Sequence, residues 1–238
     1  DQVKFTDEEK IVEAFDMDKY SRDDDALEKY PHIKEWLSLT PKKIRELGID
    51  PSKGAGQIRA VSRLYLFDKY TKIRDKIRLK LKTLKAGLSH EQQLARLGLR
   101  METEKFRIVI VGSVAGGTGS GAFLDMGLLA RWLAKSEVGN ADVELMLFLP
   151  TGYAGANKER TEANAYATLM ELETAMRDMN AQVRWMDPDS VVGKGAPYDD
   201  VYFVDNANLA NKATQDVKDI YQMVADTLFE DFASADFA

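Results

Sequence analysis

The sequence predicts an α/β fold, a largely parallel sheet flanked by helices and preceded by a helical segment. Two observations carry this. From residue 106 onward, short apolar runs rich in Ile and Val alternate with longer runs of helical periodicity, in the order strand, helix, strand, helix, strand, helix. The first of those apolar runs also leads directly into a glycine-rich loop and a helix, the way a parallel sheet enters its crossover connections.

Thr6-Asp7-Glu8-Glu9 is a capping box, which predicts a short helix to about Phe15. Asp23-Asp24-Asp25 opens another. Thr40-Pro41 reads as an N-cap and first helical residue, with Gly48 as the stop. Residues 1–53 are therefore expected to be short helices joined by acidic loops, an insert or appendage to a domain over 54–238. A long helix is predicted over 58–86, because Leu66, Tyr70, Ile73, Ile77, Leu81 and Leu84 recur at steps of three and four. Gly87 ends it, and Ser89-His90-Glu91-Gln92 is a second capping box. Residues 106–111 are apolar except for Arg107, and 143–149 except for Glu144, so both read as buried strands. A third strand falls at 200–204. Helices are predicted from the glycine loop to about 135, over 159–179 and over 213–233. Trp36, Trp132 and Trp185 are assigned to packing. Asp187-Pro188-Asp189 and Gly193-Lys194-Gly195 are assigned to surface turns.

Composition narrows the function classes. The 238 residues are 45% hydrophobic and 30% charged, enough for one sizeable core. The net charge of −6 argues against a general nucleic-acid binder. Residues 58–86 nevertheless hold ten Lys/Arg against two Asp. That basic helix is read as a solvated amphipathic face, the alternative being an acidic polymer as partner. There is no cysteine, which excludes disulfides and Cys-based zinc sites and fits a cytoplasmic protein. His32 and His90 have no metal-binding spacing. The uncharged run 108–124 is short for a membrane span and holds five glycines. The chain opens on Asp1-Gln2-Val3-Lys4, without an apolar leader or an initiator Met, and is read as a fragment.

The strongest chemical signal is the loop Gly112-Ser113-Val114-Ala115-Gly116-Gly117-Thr118-Gly119-Ser120-Gly121. Glycines let the backbone turn sharply and approach a ligand closely, and free N–H groups at the following helix start suit phosphate oxygens. Thr118 and Ser120 add hydroxyl donors. The loop is not a P-loop, since Ala122-Phe123 rather than Lys-Ser/Thr follow Gly121. Nor is it a dinucleotide fingerprint, since the next strand ends in Leu149-Pro150 without an acid. The alternative is tight strand–helix packing, and the number of glycines is read as more than packing needs.

The segment Ala115-Gly116-Gly117-Thr118-Gly119-Ser120-Gly121 resembles the tubulin/FtsZ signature G-G-G-T-G-[ST]-G, with Ala115 at the first glycine. Four further segments agree in order. Gly54-Ala55-Gly56-Gln57 resembles the family loop that reaches the γ-phosphate. Leu147-Phe148-Leu149-Pro150 resembles the strand before the ribose loop. The stretch from Glu162 to Leu169 resembles the next helix start, with Arg160, Glu162 and Asn164 as candidate sugar contacts. Val204-Asp205-Asn206-Ala207-Asn208-Leu209 resembles the D-N-x-x-L segment, which puts Asn206 at the guanine edge. Asp219, or else Asp216, matches the base-contacting residue of the family's central helix.

The resemblance covers about 54–233 and is nearest to the divergent bacterial tubulin-like proteins. It implies a Rossmann-like tubulin/FtsZ GTPase domain, incomplete at both ends. It further implies GTP/GDP and Mg²⁺ as ligands, head-to-tail self-association into filaments, and hydrolysis that needs a neighbouring subunit. The family's first phosphate loop and its catalytic loop fall outside the chain, so alone it is expected to bind nucleotide weakly or not at all and not to hydrolyse it. Arg59 and Arg63, one turn apart, are candidate γ-phosphate ligands, the alternative being a solvated helix start. A non-catalytic scaffold using the helical insert as its contact is the other reading. A dinucleotide enzyme is disfavoured by the missing acid.

Overall fold

The computed structural model describes residues 10–11, 15–50, 54–87, 106–139, 141–153, 157–186, 193–207, 212–214 and 216–233, without the side chains of 87, 232 and 233. Its centre is a parallel sheet of β1 (Phe106–Ser113), β2 (Ala141–Phe148) and, named in chain order below, β5 (Asp200–Val204), in the spatial order β1-β2-β5. Ile108 pairs with Val143, and Leu145 with Val201, so alternate residues share a face.

One face carries Val143, Leu145 and Leu147, all fully buried. They pack with Phe123 and Ala130 of α4 (Gly117–Glu137) and with Ala165 and Leu172 of α5 (Lys158–Asp178). Phe148 faces the other way and packs with Ile220 and Val224 of α6 (Val217–Ala233). Helices therefore cover both faces, which is why β2 reads as a nearly continuous apolar run. The two charges that interrupt the strand runs are partners: Arg107 donates to both carboxylate oxygens of Glu144 at 2.5 and 2.8 Å.

A second core lies on the far side of α4. Leu129 and Leu133 meet Val61, Leu64, Phe67, Tyr70 and Ile73 of α3 (Arg59–Gly87). The N-terminal segment closes this core with Tyr20, Leu27, Ile33 of α1 (Pro31–Lys34) and Ile44 of α2 (Pro41–Leu47). Thr40 caps α2 by accepting from the Lys43 N–H at 3.2 Å, and Gly48 stops it at φ 56°.

Several expectations change. Asp25 opens a single 3-10 turn, Ala26–Lys29, and not an α-helix. Leu84 is exposed although it continues the apolar periodicity, because the packed stretch of α3 ends at Leu81. The last helix begins at Val217, later than 213, after a turn built around Thr214. Gly193-Lys194-Gly195 is not simply a surface turn. Gly193–Lys194 forms β4, antiparallel to β3 (Gln182–Val183), and a Cβ on Gly193 would sit 2.9 Å from both Leu128 and Trp185. Both capping boxes and Asp187-Pro188-Asp189 lie outside the described residues. Among the described residues, no helix is long and apolar enough to cross a membrane.

Candidate functional site

The carboxyl ends of the three parallel strands are in register, with Ser113 opposite Phe148 and Phe148 opposite Val204. The loops that leave them are stitched together, Val114 N–H to the Phe148 carbonyl at 3.1 Å and Leu149 N–H to the Val204 carbonyl at 2.8 Å. The glycine loop, the Pro150 turn and the Asn206 segment thus open side by side, where parallel α/β sheets place their ligands.

In the glycine loop, Gly116 is the N-cap of α4 and no side chain caps it. The first N–H groups of a 21-residue helix lack intrahelical acceptors, and the positive end of its dipole stands behind them. The glycines divide by role. A Cβ on Gly117 would lie 2.6 Å from Ile58 N, on Gly119 2.6 Å from the Ser113 backbone, and on Gly121 2.2 Å from the Arg59 carbonyl oxygen. Close packing therefore accounts for these three, contrary to the expectation that the glycines exceed what packing needs. Gly116 alone of the four has nothing within 4 Å of that position. The hydroxyls divide too. Thr118 is exposed, whereas Ser120 is fully buried and donates to the Gly116 carbonyl.

The loop 54–57 is brought against this one. Gly54, Gly56 and Gln57 all take positive φ, Gln57 at 59°. The start of α5 holds the loop there. Asn164 Nδ2 donates to the Gln57 carbonyl at 3.1 Å and the Ala115 carbonyl at 3.3 Å, and Arg160 donates to the Gly56 carbonyl at 3.2 Å. Ala55 lies partly buried beside the same core as α3. Glu162 is exposed and 3.7 Å from Lys158. Of the three candidate sugar contacts, Arg160 and Asn164 thus grip backbone in this structure.

Arg59 and Arg63 are both tied to neighbouring helices. Arg59 donates to the Ser120 carbonyl at 3.0 Å and pairs with Glu171. Arg63 donates to both oxygens of Asp125 at 2.7 and 3.2 Å and lies over the Trp36 ring. Asp125 is buried, which pushes its carboxyl up, while Arg63 and the Trp185 N–H pull it back. The two arginines fasten α3 to α4 and α5.

At the far end of the edge, Asn206, Thr214 and Asp219 form one network. Asn206 Nδ2 donates to the Thr214 carbonyl at 3.3 Å, and the Thr214 hydroxyl donates to Asp219 at 2.7 Å. Asp216 accepts from the Lys218 N–H at 2.9 Å, as a local cap. Asn208 and Leu209 lie outside the described residues.

Sequence reasoning missed Thr214, Tyr153 and Tyr221. The two tyrosine hydroxyls are 3.0 Å apart and join the Pro150 turn to α6. Burial pushes Tyr153 up to about 12, with Ser113 opposing and Tyr221 adding to the shift. Only the aromatic in the turn after Pro150 could have signalled this. Among the described residues no group of three or more acidic or histidine side chains could hold a metal by itself.

No curated protein and no solved structure matches the chain. A family model described as tubulin-like matches residues 2–238. That span takes in the sheet, the loops along its edge and the N-terminal segment together, and the chain belongs to the tubulin-like family.

Proposed function

We propose that this edge binds a guanine nucleotide, as part of a protein that self-assembles head to tail and hydrolyses GTP in the assembly. The observation that supports it is the convergence of the 54–57 loop, the uncapped start of α4 and the Asn206–Asp219 network on the carboxyl edge of one sheet. The glycine loop would hold phosphate oxygens through the Gly116 and Gly117 N–H groups and the exposed Thr118 hydroxyl. The loop 54–57 would meet the terminal phosphate. Asn206 and Asp219 would face the base, a carboxylate matching the two N–H donors of guanine. Mg²⁺ would enter with the phosphates and neutralise their charge. The protein is expected in the cytoplasm.

A scaffold with a degenerate site is the second reading. It is favoured by one observation, that Asn206 Nδ2 and Asp219 Oδ2 are already engaged with Thr214.

The test is binding of a fluorescent GTP analogue with Mg²⁺ to the full-length protein, with unlabelled GTP and ATP as competitors. Gly119→Ala is a poor control, because its Cβ would meet the Ser113 backbone and confuse binding with folding. Thr118→Ala and Asp219→Ala are better, each removing one polar contact. Each is expected to weaken binding by about tenfold, the cost of one charge-assisted hydrogen bond. Displacement by GTP but weakly by ATP supports the nucleotide site, and no binding by the intact protein leaves the scaffold.

A further inference from the structure

Asn164 sits where the two glycine-containing loops meet, and its side chain is spent on their backbones. It is more than nine-tenths buried, at 7% exposure. Both of its amide partners, the Gln57 and Ala115 carbonyls, can only accept, so the group facing them must be the NH₂, which supplies two donors for two acceptors. An asparagine buried in a helix with both protons committed to two different loops is a staple.

The consequence for the glycine loop follows from peptide geometry. In a planar trans peptide the C=O and N–H point in opposite directions. Asn164 draws the Ala115 carbonyl inward, so the Gly116 N–H points the opposite way, away from Asn164, at a residue whose Cβ position meets nothing within 4 Å. The next carbonyl, of Gly116, is likewise drawn inward by the Ser120 hydroxyl. Without the staple, the 115–116 peptide could rotate and place Gly116 at positive φ, which glycine adopts without strain. That rotation would present a carbonyl oxygen where an N–H now stands. Asn164 also holds Gln57 in the left-handed region at φ 59°, where a side chain other than glycine is strained.

We propose that Asn164 is a positioning residue that fixes the 54–57 loop and the glycine loop to each other and keeps the Gly116 N–H turned away from Asn164 for a phosphate anion. The first half stands on the geometry alone. The anion half rests on the nucleotide reading above.

The test uses the full-length protein and two readouts, on wild type, Asn164→Leu and Arg160→Ala. Hydrogen exchange follows the protected amides of Ile58, Val114 and Ala115, with the β2 amides as a gauge of global stability. Binding of the fluorescent GTP analogue is measured alongside. Asn164→Leu is expected to speed exchange in both loops by about tenfold or more while β2 is unchanged, and to weaken the analogue by about tenfold. Arg160→Ala, which loses only the Gly56 anchor, is expected to loosen 54–58 alone.

Unchanged exchange in the two loops, or a rise shared equally by β2, overturns the staple. Wild type that binds no nucleotide while Asn164→Leu still loosens both loops sinks the anion half and leaves the staple standing. Tight analogue binding by both proteins, with unaltered loops, sinks the staple and leaves the nucleotide reading. Should Asn164→Leu fail to fold, Asn164→Ser, which keeps one donor on a shorter arm, is read by the same criteria.

Discussion

Two carboxylates with buried side chains add polar ties to the core shared by the N-terminal segment, α3 and α4. Asp68 accepts from the Tyr20 hydroxyl at 2.7 Å and pairs with Lys19 and with Lys69. Burial raises its carboxyl, but those hydrogen bonds outweigh it and hold the group below its ordinary value of 3.8. A depressed acid stabilises the fold above its unfolded pKa, and that contribution is lost as pH falls through the folded one. Wild type should therefore lose stability more steeply than Asp68→Asn as pH falls below about 4, as read by urea midpoints across that range. Asp125 is the harsher case. Removing it leaves Arg63 without its partner, and the Arg63 side chain is 32% exposed. The cost of Asp125→Ala should thus fall near 2–3 kcal/mol, below the ~3–5 of a fully buried pair, measured by chemical denaturation. Asp125 could have been noticed in the sequence, as one acid inside the apolar run from Phe123 to Leu129. Its partner could not, because Arg63 lies 62 positions away.

At the scale of elements, the start of α4 sorts its glycines into those that pack and one that is open. Gly121→Ala drives a Cβ into the Arg59 carbonyl and should destabilise by about 1–3 kcal/mol even after the gain in helix propensity. Gly116→Ala meets no atom and has φ −92°, so its stability should stay within about 0.5–1 kcal/mol of wild type. Thermal melts of the two variants distinguish packing from openness directly. The short helix α2 depends on its ends, and Thr40→Ala should cost about 1 kcal/mol by loss of the cap to Lys43.

Among the described residues two large cores share α4, and a third, smaller cluster lies between the other face of the sheet and α6. Of the two large cores, one lies between the sheet, α4 and α5, and the other between α4, α3 and residues 17–44. Deleting residues 1–50 would uncover Val61, Leu64 and Phe67, each buried now. The truncated chain is expected to aggregate or to lose its cooperative unfolding transition, as read by size-exclusion chromatography and a urea melt. A sharp two-state melt at wild-type midpoint would mean that the N-terminal segment is a dispensable appendage.

The sequence by itself determined the order of the three parallel strands and the helices that follow them, the parallel direction of that sheet, the cap and stop of α2, and the place of the glycine loop, but not the β3–β4 pair. These follow from local periodicity and from turn and cap chemistry, which act over a few residues. It also pointed to both loops and to the α5 start as neighbours of one site, through the resemblance to tubulin-like proteins. Only the tertiary structure decided what each side chain does there. Arg59 and Arg63 became ties between helices, Ser120 turned inward, and Asn164 took hold of two loops more than 40 residues away in either case. The reason is that a polar side chain's role depends on which acceptor lies within about 3 Å of it, and that is set by the packing of distant elements, which no local pattern encodes.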